Sequence, residues 1–299
     1  MKLKRVSVRQ KDYIRGERLI CSEDATNYAK DILKEAEKPM LLMSMLNVKC
    51  QVVSTTVVSV SDFNKHKEEI LGNIILSGGN GVIAADTYKS ETASRRLCGE
   101  VSELVMGTGT RMLDYINVSK EKKISIPEEK ELKAYDLGKG INLDSGYITN
   151  NMYLDEEGSL NIKKPTIGHA INAIAHDLST RDREHFGVLN LDEYDEPINY
   201  SIISIGTVDQ AVVGMHESLK TPLLSEAKSC VFFHNHPSGD LTKSEGDIET
   251  DEQLRNALSK FGITVRDNII IGDNAIYSFS MDTELSINHD VERKEEFEF

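Results

Sequence analysis

The order of predicted helices and strands occurs twice along this chain. Each half contains an amphipathic helix, two strands, a second helix and a third, buried strand. Residues 57–60 match residues 202–205 at an offset of 145, and Ser22, the expected cap of the first helix, falls within one residue of Thr166 at that offset. A repeated order at a constant offset predicts an internal duplication. The alternative is two unrelated α/β domains with a similar rhythm.

The two halves differ where the third strand ends. After a further gap of four residues, residues 81–84 parallel residues 230–233. The second half then continues His-Asn-His at residues 234–236, whereas the first continues Ala-Asp-Thr at residues 85–87, and its only histidine is His66. We therefore expect no equivalent metal site in the first half. Structural support, dimerisation or partner recognition are the roles left to it.

Composition and charge narrow the class of protein. A length of 299 residues predicts about two domains. The sequence shows neither a membrane-length apolar run nor the apolar core of a signal peptide, so we expect a cytoplasmic protein. The four cysteines form no Cys-x-x-Cys pair, which argues against a disulfide framework or thiolate zinc site. A net charge of −14 disfavours sequence-independent binding to nucleic acid.

The pattern divides the chain into four segments. Residues 1–118 form the first predicted domain and residues 165–285 the second. Residues 119–164 are rich in charges and turn formers, which predicts a linker, with room for a short helix and a hairpin. Residues 286–299 are predicted to form an acidic tail.

The strand of the second half ends in a histidine pair suited to metal binding. His234 and His236 point to the same side of an extended backbone. Asp247 can complete a three-ligand set if the chain returns as a helix, and a fourth position left for water makes a catalytic zinc site. Ser244 and Asp247 also fit a capping box at the start of that helix. The two interpretations are compatible.

Hydrolysis by a metal-activated water also needs a base that is not itself a ligand. Glu184 precedes a predicted strand and is the candidate, although it is equally a solvated charge in a polar run. Glu193, Glu196 and Glu217 are rivals that spacing alone does not exclude.

Fixed spacings in this region resemble a known family. His234-x-His236, seven residues, Ser244, two residues and Asp247 resemble the JAMM signature of the JAB/MPN metallopeptidases. The run His-Asn-His-Pro-Ser-Gly, together with Arg-Glu-His-Phe at residues 183–186, is similar to the bacterial RadC branch. The resemblance covers about residues 165–282, and the first half resembles a degenerate copy of the same domain.

The resemblance implies a fold and a set of residue roles. The expected fold is α/β, with two tandem JAB/MPN-like (cytidine-deaminase-like) domains, each a mixed sheet flanked by helices. His234, His236 and Asp247 would bind Zn²⁺. Glu184 would act as general base and then as acid to the leaving amine, and Ser244 would help to stabilise the oxyanion.

Three departures from the RadC pattern weigh against a link to DNA repair inherited from that family. No helix–hairpin–helix region is found, and the degenerate copy stands in its place. Residues 215–217 read Met-His-Glu where the family has Pro-Arg-Glu, and Asn268 stands where a histidine often occurs. The predicted metal ligands survive all three changes.

The favoured function is a zinc hydrolase that cuts an amide or isopeptide bond in a protein or peptide substrate. One alternative is a non-catalytic interaction protein in which zinc is structural, and another is a DNA-processing accessory factor of a mobile element. Glu184 and Ser244 favour the hydrolase, because a structural site needs neither. A membrane partner is not expected, and a homodimer is compatible with the sequence.

Overall fold

The structure, a computed structural model, describes residues 1–10, 17–124, 152–206 and 214–287. The chain forms two compact units. The C-terminal unit comprises Met1–Arg9 and Tyr153–Phe299, and the N-terminal unit comprises Gln10–Met152. Each unit holds one mixed sheet with helices packed against it, which confirms the predicted α/β class.

In chain order, the strands and helices are β1 (Lys2–Gln10), α1 (Ser22–Leu33), β2 (Met40–Leu46), β3 (Val52–Ser59), α2 (Lys67–Leu76), β4 (Gly81–Asp86), α3 (Glu91–Met106), β5 (Arg111–Asn117), β6 (Lys122–Lys123), β7 (Met152–Asn161), α4 (Ile167–Leu178), β8 (His185–Leu191), β9 (Pro197–Ile205), α5 (Met215–Leu224), β10 (Ser229–Asn235), α6 (Glu245–Ser259), β11 (Thr264–Ile271), β12 (Ala275–Ser278) and β13 (Thr283–Ser286). Short 3₁₀ helices follow β3 and β5.

The sheet of the C-terminal unit has the order β13-β12-β11-β10-β8-β9-β1-β7. Its central strand β10 runs parallel to β11 and antiparallel to β8. Helix α4 begins at its N-cap Thr166, whose hydroxyl accepts a hydrogen bond from the His169 amide at 3.3 Å. The predicted apolar stripe of α4 packs on one face of this sheet, where Phe233 of β10 joins the core. Because side chains alternate along a strand, His234 faces the opposite side.

The N-terminal unit repeats this topology. Its sheet has the order β3-β2-β4-β5-β6, and the directions of its first four strands match those of β9, β8, β10 and β11. Leu42 pairs with Val57 in the first hairpin, and Gly187 pairs with Ile202 at the equivalent position of the second. The strand register also shifts at equivalent points, just before Leu46 in the first hairpin and just before Leu191 in the second. That the shared topology arose by duplication, as the sequence predicts, stays a prediction.

The strand registers correct the predicted alignment of the two halves by one residue. Leu41 pairs with Asp86 in the N-terminal unit, and Phe186, which corresponds to Leu41 at the offset of 145, pairs with His234. Asp86 therefore occupies the place of His234, and not Ala85 as the sequence comparison assumed. The correction matters because a shift of one residue along a strand moves every side chain to the other face.

The observed units divide the chain differently from the predicted domains. Met1–Arg9 groups with the C-terminal unit because β1 pairs in parallel with β9. The predicted linker contains β7, a strand of the larger sheet, so only part of residues 119–164 connects the units. Residues 125–151 and the tail beyond residue 287 lie outside the described residues.

Two further expectations concern cysteines and membranes. None of the four cysteines, Cys21, Cys50, Cys98 and Cys230, is in a disulfide bond. Among the described residues, no helix is both long enough and apolar enough to cross a membrane.

Candidate metal centre

The histidine pair lies where β10 ends and the chain turns. Beyond the strand, the His236 amide donates to the Ile271 carbonyl at 2.9 Å, and the Gly239 amide donates back to the His236 carbonyl at 2.9 Å. Pro237 takes the second position of this turn, where its fixed φ is favourable. Gly239 has φ of +76°, a conformation in which a side chain would be strained. The motif thus ends the strand sharply and leaves both imidazoles at its edge.

Helix α6 brings the third predicted ligand to the same place. Ser244 is its N-cap, and the predicted capping box is present. One carboxylate oxygen of Asp247, Oδ2, accepts hydrogen bonds from the Ser244 amide and hydroxyl, both at 2.7 Å. The other oxygen, Oδ1, lies 3.2 Å from Nε2 of His234. The capping box therefore fixes Asp247 with one oxygen directed at the histidines.

The donor atoms of His234, His236 and Asp247 converge on one point. All three lie within 4.8 Å of one another, and the Nε2 atoms of the two histidines are 3.1 Å apart. Ligands 2.0–2.1 Å from a tetrahedral zinc ion are separated by about 3.3 Å. The distances of 3.1 and 3.2 Å fit such an ion. Two nitrogens and one carboxylate oxygen are also a donor set that zinc accepts.

Hydrogen bonds influence where the proton lies on His236 and lower the pKa of Asp247. Nδ1 of His236 lies 2.6 Å from the Asp240 carbonyl oxygen, which can only accept, so Nδ1 carries the proton and Nε2 presents a lone pair. Burial works to raise the pKa of Asp247, but the hydrogen bond and charge of His234, with the hydrogen bonds from Ser244, hold it well below its usual range. The site therefore offers a carboxylate with one oxygen directed at His234.

An apolar floor closes the site on one side. The rings of Phe186 and Phe232 stack with centroids 5.6 Å apart, and Phe186 lies 6.5 Å from the His234 ring. Asn268, at the departure from the RadC pattern, pairs with Phe232 in this floor. His234 is 3% exposed and the Asp247 side chain 18% exposed, so these two predicted ligands are largely buried.

Glu184 lies at the same end of the sheet as the histidines. The last pair between β8 and β10 joins Phe186 to His234, so Glu184 precedes β8 at the end where His236 follows β10. Glu184 is half-buried, and no group in the described ranges hydrogen-bonds to its carboxylate. Its carboxylate is not among the converging donor atoms, consistent with a group beside the ligand set and not in it.

The rival glutamates are less well placed. Glu193 and Glu196 lie in the turn after Leu191, at the far end of β8 from His234. Glu217, on α5, pairs at 2.5 Å with the amine of Lys220. Topology thus favours Glu184, which the sequence alone could not separate from these three.

The equivalent position in the N-terminal unit holds a buried polar network. Asp86 is fully buried, and its carboxylate accepts hydrogen bonds from the Tyr88 amide at 2.7 Å, the Asn117 amide group at 2.9 Å and the Ser94 hydroxyl at 2.5 Å. Burial, the largest influence, raises the pKa of Asp86. Among the described residues, the only cluster of His, Cys, Asp and Glu able to hold a metal is the one in the C-terminal unit.

Sequence reasoning missed two groups that hold the ligand loop. Asp240 orients His236 through its carbonyl oxygen. Lys243 places its amine over the rings of Tyr277 and Phe279, at 5.3 and 5.6 Å from their centroids, and pairs with Asp282 at 2.9 Å. A carbonyl contact leaves no mark in a sequence, and Lys243 reaches a hairpin more than 30 residues away.

Comparison with known proteins agrees with this geometry. Residues 165–285 match the model of the RadC-like JAB domain. The chain is 28% identical over 201 residues to a UPF0758 protein of Coprothermobacter proteolyticus, which covers 67% of this chain and 79% of the relative. It is 30% identical over 187 residues to a UPF0758 protein of Staphylococcus haemolyticus, covering 58% and 81% of the two chains. The metal cluster lies wholly within the matched domain, and the chain therefore belongs to the RadC-like JAB family of UPF0758 proteins.

Proposed function

We propose that this protein is a zinc-dependent hydrolase that cuts an amide or isopeptide bond in a protein or peptide substrate. The observation that carries the proposal is the convergence of His234 Nε2, His236 Nε2 and Asp247 Oδ1 at distances that fit one tetrahedral ion. Zinc bound there would supply a water molecule acidic enough to attack a carbonyl carbon at neutral pH.

The residues of this chain would handle the protons. Glu184, which precedes β8 at the end of the sheet where the histidines lie, would accept a proton from the attacking water and pass it to the departing amine, which needs that proton in order to leave. The aromatic rings beside His234 would lower the local dielectric constant and so strengthen these electrostatic interactions. A carboxylate without a described hydrogen-bond partner is free for this transfer.

The contacts of Ser244 support a second role, in addition to the one that the family resemblance implies. Its hydroxyl donates to Asp247 and also accepts a bond from the Asp247 amide at 3.2 Å. We therefore assign Ser244 the orientation of Asp247. To stabilise an oxyanion as well, its hydroxyl would have to turn away from the carboxylate.

The ligand set also bears on the alternative of a structural zinc site. Structural zinc is almost always held by four protein ligands. Among the described residues, no fourth His, Cys, Asp or Glu joins the three. The open position supports a catalytic site over a brace for an interaction protein.

The test combines metal analysis with hydrolysis by two variants. The parent, Glu184→Gln and Glu193→Gln are each expected to hold about one zinc per chain. Libraries of linear peptides and of peptides joined through a lysine side chain serve as probes, with cleavage in H₂¹⁸O followed by mass spectrometry. The parent and Glu193→Gln should place ¹⁸O in the new carboxylate, and Glu184→Gln should not. Loss of zinc from Glu184→Gln would show that Glu184 is a ligand and overturn its role as base.

A further inference from the structure

The residue between the two histidines binds the backbone on both sides of Glu184. Asn235 is 1% exposed and, by the alternation of β10, its side chain points away from the face that carries His234. Its Oδ1 accepts a hydrogen bond from the His185 amide at 2.7 Å, and its Nδ2 donates to the Arg183 carbonyl at 3.0 Å. One amide group thus contacts the residue before Glu184 and the residue after it.

These two bonds fix the conformation of Glu184. The Arg183 carbonyl and the His185 amide belong to the two peptide planes that flank the Cα atom of Glu184, so holding both planes restricts its φ and ψ. A third bond, from the Gly206 amide to the Glu184 carbonyl at 2.8 Å, ties the same residue to the neighbouring strand. The carboxylate therefore projects from a backbone held on both sides.

The side chain of Asn235 hydrogen-bonds to the backbone near the start of β8, at the point where the pairing of β8 with β10 ends. The last pair between β8 and β10 is Phe186 with His234, because the chain beyond Asn235 turns toward Ile271. Beyond that pair, Asn235 supplies an acceptor to the His185 amide and a donor to the Arg183 carbonyl, which also lies 2.8 Å from Nδ1 of His185. The amide of asparagine carries the acceptor and the donor side by side on one planar group, which matches the two backbone partners.

We infer that Asn235 is the positioning residue for the proposed base, coupling the strand that carries the zinc ligands to Glu184. The inference rests on the proposed function, since it assigns Asn235 through the role of Glu184. It also explains why an amide stands between the histidines. The two imidazoles and the proposed base are then linked through β10, whereas Asp247 is held separately by the cap of α6.

Asn235→Asp tests the inference with the smallest change in shape. The acceptor for His185 is kept, but a carboxylate oxygen replaces the donor and faces the Arg183 carbonyl, which repels it. The matched control is Asn199→Asp, because Asn199 is also a buried asparagine of the C-terminal unit, and within the described ranges its side chain hydrogen-bonds to Asn190 and Ser225. Thermal melts of both variants correct for loss of stability.

Two measurements separate positioning from folding. The first is the ¹⁸O assay above, in which Asn235→Asp is expected to lower kcat about 100-fold with KM within twofold, the size expected when a catalytic group is misplaced by about 1 Å. The second is the visible spectrum of the Co²⁺-loaded protein followed across pH. Asn235→Asp should change that profile in the direction of Glu184→Gln, and Asn199→Asp should leave it as in the parent.

The outcomes distinguish failure of the inference from failure of the proposed function. If Glu184→Gln changes neither hydrolysis nor the Co²⁺ profile, the role of Glu184 is wrong and the proposed function falls. If Glu184→Gln changes both but Asn235→Asp matches Asn199→Asp, the proposed base stands and the assignment of Asn235 is overturned. An Asn235→Asp chain that fails to fold is replaced by Asn235→Ser, which removes both hydrogen bonds without adding charge and should give the same two shifts.

Discussion

Replacement of Ser244 by alanine separates helix capping from metal binding. The change removes the N-cap of α6 and the hydroxyl that donates to Asp247 Oδ2 at 2.7 Å. Loss of an N-cap costs about 1 kcal/mol of stability. The Ser244 amide still bonds to Asp247, but the carboxylate gains freedom to rotate away from His234. Loss of such an orienting partner lowers metal affinity about 10- to 100-fold, which is about 1.4 to 2.8 kcal/mol.

The chain offers a matched control in the other unit. Ser90 caps α3 and accepts a hydrogen bond from the Ala93 amide at 3.4 Å, but no metal cluster adjoins it in the part of the chain that the structure describes. Ser90→Ala and Ser244→Ala should therefore destabilise their helices alike, as seen by amide hydrogen exchange. In competition with a chromophoric zinc chelator, only Ser244→Ala should bind more weakly.

The reasoning about Ser244 fails if both variants bind zinc as the parent does. That result would mean that the capping box does not orient Asp247, and that the carboxylate reaches its position without help from the serine. Weaker binding in both variants would mean that the effect is general destabilisation.

Three further predictions concern the ligands and the N-terminal unit. His236→Ala should retain no zinc after dialysis, measured by plasma mass spectrometry, whereas His66→Ala should retain one equivalent. Zinc added at 100 times its Kd should stabilise the C-terminal unit by about 2.7 kcal/mol, and a chelator should reverse the gain in a thermal melt. Because burial raises the pKa of Asp86 above its ordinary 3.8, the folded unit holds that proton more tightly than the unfolded chain, and its stability should fall as pH rises from 3.8. Asp86→Asn should flatten this dependence in amide exchange of α3, and an unchanged slope would contradict it.

Most of the candidate metal centre could be predicted because its parts are local in sequence. His234 and His236 are two residues apart on a strand, and Ser244 and Asp247 are three apart at a helix start, so strand and helix geometry place each pair without the rest of the fold. The approach of one pair to the other was an expectation from the spacing between them. The structure brings them together because the turn after His236 is closed by Gly239.

The sequence named Glu184 as the candidate base but could not separate it from its rivals or predict the contacts of Asn235, because both depend on strand register. Glu184 is 50 residues before His234, and only the pairing of Phe186 with His234 shows that it lies nearer than Glu193 or Glu196. The role of Asn235 stayed hidden for the same reason, since its partners are on another strand. Register also corrected the comparison of the two units, where one residue decides that Asp86 replaces His234.

The family resemblance and the repeat gave complementary information. The resemblance identified the JAMM spacing, and the repeat supplied an internal control with the same topology and different chemistry. In one unit a candidate metal site joins strand and helix, through His234 and Asp247. In the N-terminal unit, the buried carboxylate of Asp86 at the end of β4 joins the strand to α3 through its hydrogen bond with Ser94. The same strand–helix junction is therefore joined by a candidate metal site in one unit and by a hydrogen bond in the other.

The most direct test of the central claim is a crystal structure of the zinc-loaded protein with anomalous data collected on both sides of the zinc edge. The account predicts one strong peak per chain, about 2.0–2.2 Å from His234 Nε2, His236 Nε2 and Asp247 Oδ1. No peak should lie beside Asp86. The absence of a peak at the three ligands, a fourth protein ligand completing the ion's coordination, or a second peak in the N-terminal unit would contradict it.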